Sequence, residues 1–218
     1  MGKRRLEDAL KKIEHPTKVV YRCFELDPSM PRDVDYNIYE KLSQKYGMSI
    51  EQAKSNCRNM EKSAKESGLD FRFDTMVLTN TFDAHRLAMF AKDNDLMQAM
   101  TERLLRAFYT ESKHIGEHQT LIELAVEVGL NRDQVTEMLS SNAYSDAVRA
   151  DEQEASQYGI RSIPYFLINK KYAITGAQPT ETFVQSLHQI IEQDRLNQIE
   201  SEDGGLNCDE SGCELPKK

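Results

Sequence analysis

The sequence GIRSIPYFLINKKYAITGAQP, residues 159–179, carries more information about the fold than any other stretch of this chain. The apolar run YFLI and the run YAITG each have the length and composition of a strand, and NKK between them is typical of a turn. The stretch therefore predicts a β-hairpin. Pro164 stands directly ahead of the first strand, where its missing N–H removes no hydrogen bond from the sheet. Pro179 stands where a proline favours the first turn of a helix.

Patterns near both ends of the chain predict further elements. The helix predicted after Pro179 has an apolar face, and a second helical pattern begins almost at once in MGKRRLEDALKKI, residues 1–13. The run TKVVYRCFEL then alternates and is rich in β-branched and aromatic residues, which predicts a strand from about Lys18 to Leu26. After about residue 197 the sequence loses its periodicity and becomes acidic, as is typical of a mobile tail.

The long central part of the chain, residues 31–159, is predicted to be helical throughout. Ser49 with Gln52 three positions later has the pattern of a capping box. Glycines at 47, 68 and 159 stand where helices are expected to end. The predicted order of elements is therefore helix, strand, many helices, two strands, helix and tail, which indicates an α/β fold interrupted by a helical insertion.

Composition and charge exclude several classes of protein. The chain has 218 residues and a net charge of −8, which disfavours a nucleic-acid-binding face because phosphate binding needs clustered cations. No stretch approaches the roughly 18 apolar residues that a membrane span requires, and no apolar run follows the basic start as it would in a signal peptide. We therefore expect a cytoplasmic protein that binds neither nucleic acid nor membrane.

Four cysteines occur, at Cys23, Cys57, Cys208 and Cys213. Cytoplasmic cysteines are mostly reduced, so a closely spaced pair indicates redox or metal chemistry rather than a structural disulfide. Cys208 and Cys213 form a C-x4-C pair around a glycine, which allows a disulfide, and they are the candidate catalytic pair. A metal site is one alternative for this pair, although the sequence offers no obvious further ligands beside the two thiolates. The other alternative is that the two cysteines lie in the tail without a function. Cys23 is expected to be a buried small apolar residue.

Several motifs, in order along the chain, resemble one protein family. GIRSIPYFLINKKYAITGAQP resembles the cis-proline hairpin of the thioredoxin superfamily. FELDPSMP, NTFDAHRLAMFAK, LLRAFYTESKHIGEHQTLIELAVEVGL and DEQEASQYGIRSIPYF resemble, in register, the DsbA-like thiol–disulfide oxidoreductases of the FrnE type. The resemblance extends to about residue 193. It implies a thioredoxin-like domain made of residues 1–30 and 160–197, a helical insertion domain of residues 31–159, and an acidic tail of residues 198–218 that contains the C-x4-C pair.

The resemblance also implies where the reaction occurs. In the family, a Cys-x-x-Cys pair stands at the N-terminus of the first helix, where the helix dipole stabilises a thiolate. The present sequence begins MGKRRL, directly after the position of that pair, so the first strand and the Cys-x-x-Cys are not in it. Either the written start is internal, or the chain is a variant that has lost this redox centre. The candidate pair in the sequence as written is then Cys208 and Cys213.

Four residues are implied to bind substrate. Ile163 and Pro164 correspond to the substrate-facing cis-proline loop, with an ordinary trans proline as the alternative, because only about 5–6% of X–Pro bonds are cis. Asn80 and His85 correspond to a segment facing the cleft between the domains. Helix capping by Asn80 and a structural role for His85 are the alternatives.

The function expected is therefore that of a thiol–disulfide oxidoreductase or isomerase. Its partners would be disulfide-containing proteins or small thiols, with no metal and no resident cofactor. One alternative is a glutathione-dependent isomerase or transferase of the hydroxychromene-carboxylate isomerase or kappa type, with glutathione as co-substrate. Another is a redox-sensing module without enzymatic activity. The sequence is compatible with a homodimer.

Overall fold

The structure, a computed structural model, describes residues 1–203, and the side chains up to residue 197. Its elements are, in chain order, α1 Gly2–Leu10, α2 Ile38–Tyr46, α3 Ile50–Glu66, α4 Phe82–Asp93, α5 Met97–Tyr109, α6 His118–Glu127, α7 Arg132–Ser140, α8 Ser145–Gln157, β1 Tyr165–Ile168, β2 Tyr172–Thr175 and α9 Thr180–Asp203. The chain divides into two compact units. Unit 1 is Met1 with Lys18–Ile163, and unit 2 is Gly2–Thr17 with the chain from Pro164 onward.

Unit 2 contains the hairpin predicted from the sequence. The two strands pair antiparallel, with Tyr165 opposite Thr175 and Ile168 opposite Tyr172. The ring of Phe183 on α9 meets the ring of Phe166 edge to face, with centroids 4.8 Å apart. Ala9 of α1 and Ile174 of β2 complete a small buried core around Phe183, so this core joins the first helix of the chain to the hairpin and to α9.

Unit 1 contains the helical series. Its largest core is formed by the buried faces of α4 to α7. Helix caps agree with the sequence: Ser49 and Gln52 form the predicted capping box, and Gly47 ends α2 in the left-handed conformation that glycine adopts without strain. The predicted insertion, residues 31–159, lies within unit 1. The segment from Lys18 to Met30, which the resemblance had placed in the thioredoxin-like domain, groups with unit 1 as well.

The predicted strand from Lys18 to Leu26 is wrong, since no residue in this range belongs to a strand. A strand needs a neighbouring backbone to accept its N–H groups. Here the N–H of Cys23 donates to the carboxylate of Asp151 at 2.8 Å, and the N–H of Glu25 donates to that of Glu152 at 3.2 Å. The segment is therefore held to α8 by side chains instead of being paired in a sheet.

The tail predicted for residues 198–218 begins inside α9, and residues 204–218 lie outside the described part of the chain. Across residues 1–203, no helix combines the length and the apolar composition needed to cross a membrane.

Candidate functional site

Pro164 lies at the point where the chain enters the hairpin. Its carbonyl oxygen accepts a hydrogen bond from the N–H of Gly176 at 2.9 Å, one step beyond the Tyr165–Thr175 pair. Pro164 therefore extends the hairpin by one hydrogen bond through its carbonyl, while its ring nitrogen has no hydrogen to donate. The residue before it, Ile163, has an exposed fraction of 45%.

The first turn of α1 packs directly against Pro164. Gly2 is buried, and a Cβ atom at this position would lie 2.9 Å from Cγ of Pro164 and 3.2 Å from Cζ of Phe166. The guanidinium of Arg5 donates to the carbonyl of Ala177 at 2.6 Å, which also holds the helix to the end of the hairpin. Since the N-terminus of a helix carries a partial positive charge, this corner favours a negatively charged group such as a thiolate.

Replacing Gly2 by alanine tests how closely α1 packs here. Alanine is the better helix former, by about 1 kcal/mol, yet its methyl group would overlap Pro164, and such overpacking costs about 1–3 kcal/mol. We therefore expect Gly2→Ala to lower the free energy of unfolding in urea. The double variant with Pro164→Ala, which lacks the Cγ atom, should recover part of the loss. A Gly2→Ala protein more stable than wild type would contradict the close packing.

Cys23 and Cys57 are buried thiols without nucleophilic character. Burial raises the pKa of Cys23 to about 12, and the charges of Asp151 and Glu152 add to the effect. Burial also raises the pKa of Cys57, with a further contribution from Glu61. Both thiols are therefore protonated at neutral pH, and since the thiolate is the reactive form, neither is a candidate nucleophile. Cys23 packs against Met89 and Val148, which confirms the prediction of a buried apolar residue. Cys208 and Cys213 lie outside the described residues.

The side-chain amide of Asn80 forms hydrogen bonds within unit 1. Its Nδ2 donates to the carbonyl of Met30 at 3.0 Å, and its Oδ1 accepts from the N–H of Phe82 at 2.8 Å. The first bond fixes the loop after residue 26, and the second fixes the start of α4. The second bond is that of an Asx turn just ahead of α4, whose N-cap residue is Thr81. Substrate binding by Asn80 stays a prediction.

His85 is half-buried and lies beside the extended segment before Asp27. Its backbone carbonyl is 3.7 Å from the Sγ of Cys23, and its ring is hydrogen-bonded to the backbone of Phe24. Burial lowers the pKa of His85, with the carboxylates of Glu152 and Asp151 acting in the opposite direction. The imidazole is therefore neutral at neutral pH. Asn80 and His85, although only five positions apart, have different surroundings, since one binds the loop at Met30 and the other faces the segment held by α8.

Comparison with known proteins decides the family. The model of the DSBA-like thioredoxin domain matches residues 1–188. The chain belongs to the DSBA-like thioredoxin domain family. The predicted fold class is thereby confirmed: the two strands and the many helices form the thioredoxin-like DsbA fold with its helical insertion.

Two further similarities agree with this membership. The crystal structure of a probable DsbA oxidoreductase from Streptomyces coelicolor superimposes with a TM-score of 0.84 and 34% sequence identity, over 99% of this chain and 93% of that one. The uncharacterized protein YwbO of Bacillus subtilis is 25% identical over 189 residues, which is 86% of this chain and 88% of that protein. The family model and the structural match support an enzyme of the thiol–disulfide oxidoreductase kind.

Sequence reasoning missed two features of this DSBA-like chain. Gly2 was placed just downstream of the missing Cys-x-x-Cys, and only the structure shows that a side chain at this position would overlap Pro164. Glu25 was assigned to a strand, whereas it is buried and paired with Arg149 at 2.6 Å. The signal that could have found Glu25 is a glutamate at an alternating position beside Phe24 and Leu26. Among the described side chains, residues 1–197, no three His, Cys, Asp or Glu converge in a way that could hold a metal ion.

Proposed function

We propose that the protein is a thiol–disulfide oxidoreductase or isomerase of the FrnE type, acting on disulfides of proteins or small molecules. The single observation that carries the proposal is the packing of the first turn of α1 against Pro164. This corner joins a helix N-terminus, which stabilises a thiolate, to a proline loop in a chain of the DSBA-like family. The exposed Ile163 would offer its backbone groups to an extended substrate, in the manner of strand addition.

The reaction is a two-step exchange. A thiolate attacks one sulfur of the substrate disulfide, forms a mixed disulfide, and the second substrate sulfur leaves as a thiolate. A second thiol, after losing its proton, attacks the mixed disulfide and releases the reduced substrate. The dithiol of the enzyme is oxidised by two electrons and the substrate disulfide is reduced by two. An external dithiol or glutathione then returns the enzyme to its reduced form.

The candidate thiols in this chain are Cys208 and Cys213, because burial keeps Cys23 and Cys57 protonated. The proposal takes the protein to be cytoplasmic, where free thiols stay reduced, and it requires no metal and no resident cofactor.

The test is reduction of a disulfide-containing protein by dithiothreitol, followed with and without the chain. We expect the chain to raise the rate, Cys208→Ser and Cys213→Ser each to return the rate to background, and Cys57→Ala to leave it within about twofold, because its thiol is not the reactive form. No acceleration by the wild-type chain would contradict the proposed activity. Full activity in both serine variants would contradict the assignment of the pair.

A second candidate is the glutathione-dependent isomerase or transferase. The observation that favours it is that both described thiols, Cys23 and Cys57, are buried and protonated. A thiol bound at the first turn of α1 would then be the nucleophile, activated by the same helix dipole. A Cys208→Ser, Cys213→Ser double variant that still lowers the pKa of added glutathione, measured by thiolate absorbance, would favour this function over the dithiol reaction.

A further inference from the structure

The extended segment from Arg22 to Glu25 in unit 1 is attached to α8 by a set of carboxylates. Asp151 accepts from the N–H of Cys23 at 2.8 Å and pairs with Arg22 at 3.1 Å. Glu152 accepts from the N–H of Glu25 at 3.2 Å. The backbone of this segment is thus held by side chains that can change charge, whereas a strand in a sheet is held by backbone groups that cannot.

Two carboxyl groups of this set accept hydrogen bonds from the same nitrogen atom. Nη1 of Arg149 lies 2.6 Å from Oε2 of Glu25 and 2.6 Å from Oε2 of Glu152. The guanidinium also stacks on the ring of Phe82, 4.3 Å from its centroid, which fixes its position. We call Glu25 and Glu152 the carboxyl pair. Two negative groups that face the same cation at this range repel each other when both are ionised.

Glu25 is the more constrained member of the carboxyl pair. Its side chain is 1% exposed, and its Oε1 is buried with no hydrogen-bond partner among the described residues. Burial is the main reason that the pKa of Glu25 is raised, and the carboxylate of Glu152 adds to it while Arg149 acts against it. An ionised carboxylate with a buried, unpaired oxygen is costly, so the neutral form suits this position better than the charged one.

The charged groups around Glu25 confirm that negative charge is in excess. From α8 come the carboxyl groups of Asp151, Glu152 and Glu154, and the guanidinium of Arg149. From α4 comes His85, which is neutral at neutral pH. From the segment itself comes Arg22, paired with Asp151 and with Glu154 at 3.3 Å. Lys92 of α4 adds a positive charge that acts on Cys23. Together with Glu25 itself, four carboxyl groups therefore face three cationic side chains, and a proton on Glu25 reduces the imbalance.

We propose that Glu25, with its buried and unpartnered Oε1, binds one proton while the segment from Arg22 to Glu25 is packed on α8, and that loss of this proton releases the segment. Glu25 is thus a pH-sensitive latch on a segment whose N–H groups donate to carboxylates of α8. The inference is independent of the proposed enzymatic function, because every group that it uses lies in unit 1.

The direction of the pH effect follows from linkage. A glutamate whose pKa is raised in the closed state favours that state while the proton is bound. Closure is therefore strongest at low pH and weakens as the pH rises from the ordinary value of 4.5 through the raised value. Within that window the opening equilibrium grows about tenfold for each pH unit, since one unit of pKa corresponds to a factor of ten.

Hydrogen exchange of the Cys23 and Glu25 amides, expressed as protection relative to the free peptide at each pH, tests the latch. We expect protection in the wild type to fall about tenfold per pH unit within the window. Glu25→Gln, which stays neutral and can still accept from Arg149, should keep its protection at all pH values. Asp146→Asn is the matched control: it removes a charge from an exposed position in the first turn of the same helix, outside the carboxyl pair, and should behave as the wild type does.

The proposal fails if protection in the wild type does not depend on pH, or if Glu25→Gln loses protection in parallel with it. Glu152→Gln provides a second test, and one that remains available if Glu25→Gln does not fold. It leaves Glu25 alone with Arg149, so the fall in protection should move to lower pH. A fall at the same pH as in the wild type would show that Glu152 does not act on the proton of Glu25.

Discussion

Replacing Arg86 by methionine is expected to lower the free energy of unfolding by about 3–5 kcal/mol, the range found when one partner is removed from a buried ion pair. The side chain of Arg86 is 5% exposed and pairs with Asp83 at 2.7 Å. Its guanidinium also donates to the carbonyls of Met138, Ser141 and Ala143, which lie at and just after the end of α7. Methionine fills a similar volume but leaves these buried oxygens without a donor.

Two further variants separate the hydrogen bonds from the charge. Arg86→Lys keeps the charge but cannot reproduce the planar fork of donors, so it should recover only part of the loss. Arg72→Met removes an exposed arginine whose partner is Asp70, and it should change the stability by no more than about 0.5 kcal/mol. Urea unfolding of the three variants measures these changes in the free energy of unfolding. An Arg86→Met protein as stable as Arg72→Met would show that the end of α7 does not depend on Arg86.

The elements that could be predicted from the sequence are those determined by neighbours in the chain. The hairpin is one, because a turn between two short apolar runs specifies both strands and their register. The capping box of Ser49 and Gln52 is another, since both partners lie within one helical turn. The fold class followed from the resemblance of several motifs in order, and the family match over residues 1–188 confirms it.

The features that could not be predicted depend on residues far apart in the chain. The run from Lys18 to Leu26 has the composition of a strand, but its N–H groups meet carboxylates of α8 more than a hundred positions later. In NTFDAHRLAMFAK, nothing distinguishes Arg86 from the other polar residues. The carbonyl groups that accept from its guanidinium lie more than fifty positions later, in and just after α7. Periodicity reports which face of an element is apolar and contains no information about such distant polar partners.

The candidate site shows the same limit. Pro164 was predicted from its own stretch of sequence, whereas its contact with Gly2 joins residues at opposite ends of the chain. Asn80 was assigned to substrate binding by resemblance, which stays a prediction, and the bonds of its amide with Met30 and Phe82 were not foreseen. Resemblance transfers a position from relatives, but the hydrogen-bond partners of that position have to be read from the structure.

Replacing Phe183 by alanine is expected to have a comparable effect in unit 2, about 3–5 kcal/mol, as for other large-to-small changes in a core. Phe183 is fully buried, and its ring meets that of Phe166 with centroids 4.8 Å apart. Ala9 and Ile174 close the same small core. Leu6 of α1 packs against the same core, so removal of the ring takes away much of the buried surface that supports α1.

Hydrogen exchange in α1 measures this loss directly, since its amides are protected only while the helix is packed on α9 and the hairpin. Gln185→Ala, an exposed change on the same helix, is the matched control and should leave the exchange rates unchanged. If Phe183→Ala increases exchange throughout Gly2–Leu10 and also reduces the disulfide-reductase rate, the corner at Gly2 and Pro164 depends on the Phe183 core. If α1 stays as protected as in the wild type, the helix is held by its other contacts, chiefly that of Arg5 with Ala177, and the packing of Phe183 is not what positions the candidate site.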